Sequence, residues 1–95
     1  YISMLGFLST GNIIKDSCGA YAIPTVFAEG AAVLTNTLPV SNYRAPGGAP
    51  SAYVVERLVD MAAREIGMDP AEIRRRNLIR PEAMPYKTAT GDVYD

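Results

Sequence analysis

Ninety-five residues, 48% of them hydrophobic and 20% charged, suffice for one small domain and no more. A net charge of −1, with basic residues concentrated only in the short run IRRRNLIR, argues against a nucleic-acid partner. One cysteine and no histidine exclude an internal disulfide, argue against a protein-ligated zinc or iron–sulfur site, and suit a reducing, cytoplasmic setting.

The chain opens at Tyr1 rather than Met and closes on the polar run KTATGDVYD, which leads us to expect a piece of a longer subunit. In the first twenty residues Ile2, Leu5, Leu8, Ile13 and Ile14 recur at helical spacing, with Gly11 and Gly19 as interruptions. Next, AIPTVFAEGAAVLTNT collects Ile23, Thr25, Val26, Phe27, Val33 and Thr35 and reads as one long strand bent at Gly30. Pro24 and Glu29 interrupt this apolar stretch well below the ~20 residues a membrane-spanning helix needs, and no signal peptide is visible.

After the loop LPVSNYRAPGGAP, the segment SAYVVERLVDMAAREIG places Val55, Leu58, Val59, Ala62 and Ile66 on one helical stripe. Ser51 reads as its N-cap, Gly67 as its left-handed C-terminal residue, and Asp60–Arg64 as an i,i+4 ion pair on its outer side. A second helix follows in MDPAEIRRRNLI, with Asp69 as N-cap, Pro70 in the first turn, Glu72 completing a capping box and Asn77 ending it. The remainder, RPEAMPYKTATGDVYD, reads as an irregular extended segment. The predicted class is therefore mixed α/β (α+β), one domain over residues 1–95.

Few residues in this chain can carry chemistry. Cys18 lacks a histidine to activate it and reads as a buried inert thiol. Glu29 reads as a solvated strand position, and Arg74 to Arg76 as a helix C-terminal cluster that is solvated or bridges to a neighbouring subunit. The loop NYRAPGGAP is first of all a turn before a helix, but Arg44 beside a helix N-terminus also offers an anion site. Neither phosphate-loop consensus, G-x-x-x-x-G-K-[ST] or G-x-G-x-x-G, is present, so a nucleotide P-loop is rejected.

Taken together, the TNT-P turn at Thr35 to Pro39, the YR-x-x-G loop at Tyr43 to Gly47 and the helix pair ERLVDMAAREIGMDPAEIRRRNLI resemble the molybdenum-binding large subunit of the xanthine dehydrogenase/aldehyde oxidase family, which includes aerobic carbon monoxide dehydrogenase. The resemblance covers essentially the whole chain, the first twenty residues least distinctively. It implies a partial molybdenum-cofactor-binding domain in which Tyr43, Arg44, Ala45, Pro46 and Gly47 lie against a molybdenum–molybdopterin group in its cytosine dinucleotide form. Arg44 and its neighbours would contact the group largely through backbone, and Pro46 would face the substrate. The family's glutamate base lies beyond this chain, so no catalytic residue is expected here. The remainder of the large subunit and iron–sulfur and FAD-carrying partner subunits or domains are the implied associates, with a small-molecule aldehyde or N-heterocycle as substrate. Where carbon monoxide dehydrogenases carry a copper-holding cysteine this chain has Ala45, and many relatives have glycine there. A stand-alone helical interaction module and an inactive relative are the alternative readings.

Overall fold

The computed structural model describes residues 8–38 and 41–95. The expected helical positions Ile2 and Leu5, and Pro39 of the TNT-P turn, lie outside them. Among the described residues three helices and one two-stranded antiparallel sheet form, a mixed α/β arrangement: α1 (Leu8–Lys15), α2 (Gly48–Glu65), α3 (Pro70–Asn77), β1 (Tyr86–Lys87) and β2 (Val93–Tyr94). Gly11 lies inside α1 instead of interrupting it. The chain leaves α1 through a 3-10 turn, Asp16–Cys18, and reverses at Gly19, whose φ of +55° is one a glycine adopts without steric cost.

The long bent strand does not form. Residues 22–38 carry no regular secondary structure, and Phe27, Val33, Leu34 and Leu38 stand well out in solvent. The composition is that of a strand, but strand structure is a pairing property, and no other strand runs beside this segment among the described residues. Further along, the segment passes close to α1 at Gly30, where an added Cβ would stand 3.0 Å from Ile14 Cδ1 and 3.1 Å from Thr10 Cγ2.

α2 begins four residues earlier than its sequence implies. Gly47 takes the N-cap position with φ +91°, and Pro50 falls in the first turn, where its missing N–H costs nothing. Ser51 is thus not a cap but a residue one turn inside, donating its backbone N–H to the Gly47 carbonyl at 3.0 Å and buried to 2% exposure. The C-terminus closes as expected: Met68 N–H reaches the Ala63 carbonyl at 2.8 Å and Gly67 N–H the Arg64 carbonyl at 3.2 Å, around Gly67 at φ +66°. That pair of bonds is a Schellman motif.

α3 starts where Asp69 Oδ2 accepts the Glu72 N–H at 2.9 Å. Only half of the capping box is made, because the Glu72 carboxylate turns to Arg76 at 2.7 Å and Arg75 at 3.3 Å. The Asp60–Arg64 pair is also absent: Asp60 Oδ1 sits 2.9 Å from Arg74 Nη2. Arg74 also grips Glu56 Oε2 at 2.7 Å, so this arginine ties α3 to α2 within the chain rather than to a neighbour.

Ahead of α3, the strap 20–23 is stitched to its end by Ala22 N–H to the Asn77 carbonyl (2.8 Å) and Ile79 N–H to the Ala20 carbonyl (3.0 Å). The buried apolar set is small, Cys18, Tyr21, Val55 and Ala63. Of the predicted stripe, Val55 is buried and Val59 half-buried, whereas Leu58 and Ile66 are exposed. Val55, Leu58, Val59 and Ala62, with Tyr21 and Ile73, line an apolar groove of about 300 Å³ between α2 and α3.

The tail is more ordered than an irregular extended segment. A 3-10 turn at Pro81–Ala83 and a cis Met84–Pro85 bond lead into the β1–β2 hairpin, with Tyr86 opposite Tyr94 and Lys87 opposite Val93. The hairpin folds back on α1 and the Gly19 turn, since Thr90 Oγ1 donates to the Lys15 carbonyl at 2.6 Å and Tyr94 Oη to the Gly19 carbonyl at 3.1 Å. Lys15 and Asp92 close this contact as an ion pair at 3.0 Å. A distant helix and the turn that follows it thus supply the acceptors that order a polar tail, and local pattern does not register them.

Candidate functional site

The loop from Tyr43 to Gly47 spans the gap between α1 and the first turn of α2. Its two ends rest on one face of α1. At the start, Ser9 Oγ donates to Asn42 Oδ1 at 3.2 Å; at the end, Asn12 Nδ2 donates to the Pro46 carbonyl at 2.8 Å. Ser9 and Asn12 are three residues apart on a helix, hence on one side of it. Gly47 is buried directly against that side: a Cβ there would lie 2.6 Å from Asn12 Cβ, 2.8 Å from the Ser9 carbonyl and 2.9 Å from the Ile13 nitrogen. Gly48 N–H then closes the turn on the Ala45 carbonyl at 3.1 Å.

The five predicted site residues thus divide. Pro46, half-buried, and Gly47, buried, form an inner half seated on α1. Tyr43, at 89% exposure, Arg44 and Ala45 form an outer half in solvent. Among the described residues the backbone N–H groups of Tyr43, Arg44 and Ala45 carry no hydrogen bond. Ala45 has φ +56°, in the left-handed region that favours glycine. The outer half stands just ahead of the α2 N-terminus, whose dipole end is positive, and Arg44 adds a full positive charge. Unpaired N–H donors, a helix N-terminus and one guanidinium make a surface suited to an anionic, hydrogen-bond-accepting ligand.

The other candidates resolve differently. Cys18 is 1% exposed with Sγ 3.6 Å from Thr90 Oγ1, packed beneath the tail as an inert thiol should be. Glu29 is exposed, as read, though on irregular chain rather than on a strand. No cluster of three metal-ligating side chains exists among the described residues. Glu56 is the centre of a polar triad: it accepts from Tyr21 Oη at 2.7 Å and from Arg74 Nε at 2.8 Å. The Tyr21 hydroxyl, and next Arg74, hold its carboxyl below the usual range, while burial and that same bond raise the Tyr21 phenol. This triad welds the 20–23 strap to α2 and α3.

Sequence reasoning did not single out Ser9 and Asn12. The available signal was two polar side chains three apart in the helix LSTGNIIK, facing a partner that only the folded chain supplies.

Residues 1–78 match a family model described as molybdopterin cofactor-binding domain. The chain is 42% identical over 77 residues to the 6-hydroxypseudooxynicotine dehydrogenase complex subunit gamma of Paenarthrobacter nicotinovorans, an alignment covering 81% of this chain and 10% of that one. It is 38% identical over 86 residues to a carbon monoxide dehydrogenase large chain of Hydrogenophaga pseudoflava, covering 81% and 10%. It is 41% identical over 61 residues to an aldehyde oxidoreductase of Megalodesulfovibrio gigas, covering 64% and 7%. The chain spans about a tenth of the length of the first two of these relatives. No helix among the described residues is long and apolar enough to cross a membrane.

Proposed function

Because this chain belongs to the molybdopterin cofactor-binding domain family, we propose that its loop from Tyr43 to Gly47 cradles the molybdenum–molybdopterin group of a molybdenum hydroxylase large subunit, of which residues 1–95 are one part. The observation that carries this reading is the outer half of the loop. Three consecutive N–H groups, unpaired among the described residues, sit beside a helix N-terminus and an exposed arginine, the donor set an anionic pterin and its phosphate require. Tyr43, Arg44 and Ala45 hold the group through these donors, Pro46 stands on the substrate side, and Gly47 seats the loop on α1. When bound, the group supplies the metal centre for hydroxylation of an aldehyde or N-heterocycle with oxygen from water.

The chain's own part is to bind and orient. In this proposal the cofactor is the cytosine dinucleotide form, and electrons leave through iron–sulfur and FAD centres in partner domains or subunits. Ala45 offers no thiol to a copper ion, so the proposed substrate class is organic rather than carbon monoxide, although relatives carry the carbon monoxide dehydrogenase name. In the full-length parent protein, Arg44→Ala is expected to lower both molybdenum content and turnover. Unchanged values for both would remove the loop from the site.

A further inference from the structure

We infer that Asn12 is a positioning residue for this loop, acting through Pro46 rather than on a ligand. Its Nδ2 donates to the Pro46 carbonyl at 2.8 Å, across 34 positions of sequence. That carbonyl belongs to the peptide unit linking Pro46 to Gly47. Gly47, at φ +91°, has the conformational freedom to let the unit rotate unless something holds it. Asn12 holds it, and its own Cβ occupies the space where a side chain at 47 would stand. Ser9, one turn earlier on α1, secures the opposite end of the loop at Asn42.

The result is an arch with both feet fixed on one helix and three N–H donors along its span that are unpaired among the described residues. Pre-ordering of this kind lowers the conformational cost that a ligand would otherwise meet on binding. α1 touches the proposed ligand nowhere in this scheme, so its effect is on loop geometry alone. The inference rests on the reading of the loop as a cofactor cradle.

The test uses the full-length parent protein. Asn12→Asp keeps the shape but replaces the donor with an acceptor facing a carbonyl; Asn12→Gln keeps an amide donor. The expected result for Asn12→Asp is a loss of pterin content of about tenfold at limiting cofactor, the order expected for one part-buried hydrogen bond. KM for substrate should rise more than kcat falls in the fraction still loaded. Asn12→Gln should recover most of the content, which a merely damaged α1 would not. Should Asn12→Asp fail to fold, Ser9→Ala tests the other foot, with a smaller loss of content expected. Arg44→Ala separates the two levels. If it depletes the pterin while Asn12→Asp and Ser9→Ala leave content and kinetics at wild-type values, the positioning role is overturned and the cradle stands. If none of the three changes content, both fall.

Discussion

The guanidinium of Arg74 lies 2.7 Å from the carboxylate of Glu56, and with the same Nη2 it reaches Asp60 at 2.9 Å. One arginine thus bridges two consecutive turns of α2 from α3, while Tyr21 occupies the other oxygen of Glu56 at 2.7 Å. Arg74→Ala is expected to lower the melting temperature and loosen α3, read as faster amide exchange in residues 70–77. Arg74→Lys should recover only part of the loss, because an ammonium cannot reproduce the planar fork that meets both carboxylates.

The same cluster sets an acid limit. Glu56 is held below its ordinary value of 4.5, first by Tyr21 and then by Arg74; Glu72 is lowered by Arg76 and Asp92 by Lys15. A carboxylate depressed in the folded state adds stability that is present above its unfolded value and lost as pH falls through its folded one. Melting temperature should therefore fall as the pH drops below about 4.5 and vary little just above about pH 5. Glu56→Gln should lower the plateau and flatten the acid slope. An unchanged slope in a urea titration series across this range would remove Glu56 from the acid response.

Gly47 tolerates no side chain. Gly47→Ala combines a left-handed φ with a Cβ set 2.6 Å from that of Asn12, inside contact distance of a helix backbone. The expected loss is about 3 kcal/mol in chemical denaturation, from backbone strain and overpacking together. Because the displaced atoms belong to α1, the loop should move with them, and pterin content should fall as well.

Ala45 presents the opposite case. It holds φ +56° with a methyl group in the way, directly before a proline that narrows its options further. Ala45→Gly should be neutral or stabilising by up to about 1 kcal/mol, the relief of strain exceeding the added freedom of the unfolded chain. A clear loss of stability on thermal denaturation would mean the alanine methyl makes a contact worth more than the strain.

Asp69 is a cap whose value can be read directly. With Oδ2 accepting the Glu72 N–H at 2.9 Å, Asp69→Ala should cost about 1 kcal/mol by denaturant titration. Asp69→Asn should cost less, since the amide oxygen accepts the same bond.

How much of this was legible in advance depended on the range of the interactions. The Asp69–Pro70–Glu72 start of α3, its end at Asn77 and the Gly67 stop of α2 were readable because capping bonds join residues at most five apart. The loop residues Tyr43 to Gly47 were picked out by composition and by family resemblance. The apolar stripe on α2 was visible as a period, but not how deeply it would be covered, since Leu58 and Ile66 stay more than half exposed.

What the amino-acid sequence determined by itself was therefore the helix pair, the Asp69 cap of α3, the Gly67 stop of α2 and the family. The tertiary structure alone decided the rest. Residues 22–38 stay irregular because a strand exists only beside another, and Arg74 turns inward because Glu56 and Asp60 present two carboxylates across the helix junction. The loop divides into a seated and an open half because Ser9 and Asn12, over thirty positions away in sequence, are brought beneath it. Contacts at that separation carry no local pattern; they appear only once the chain has closed on itself.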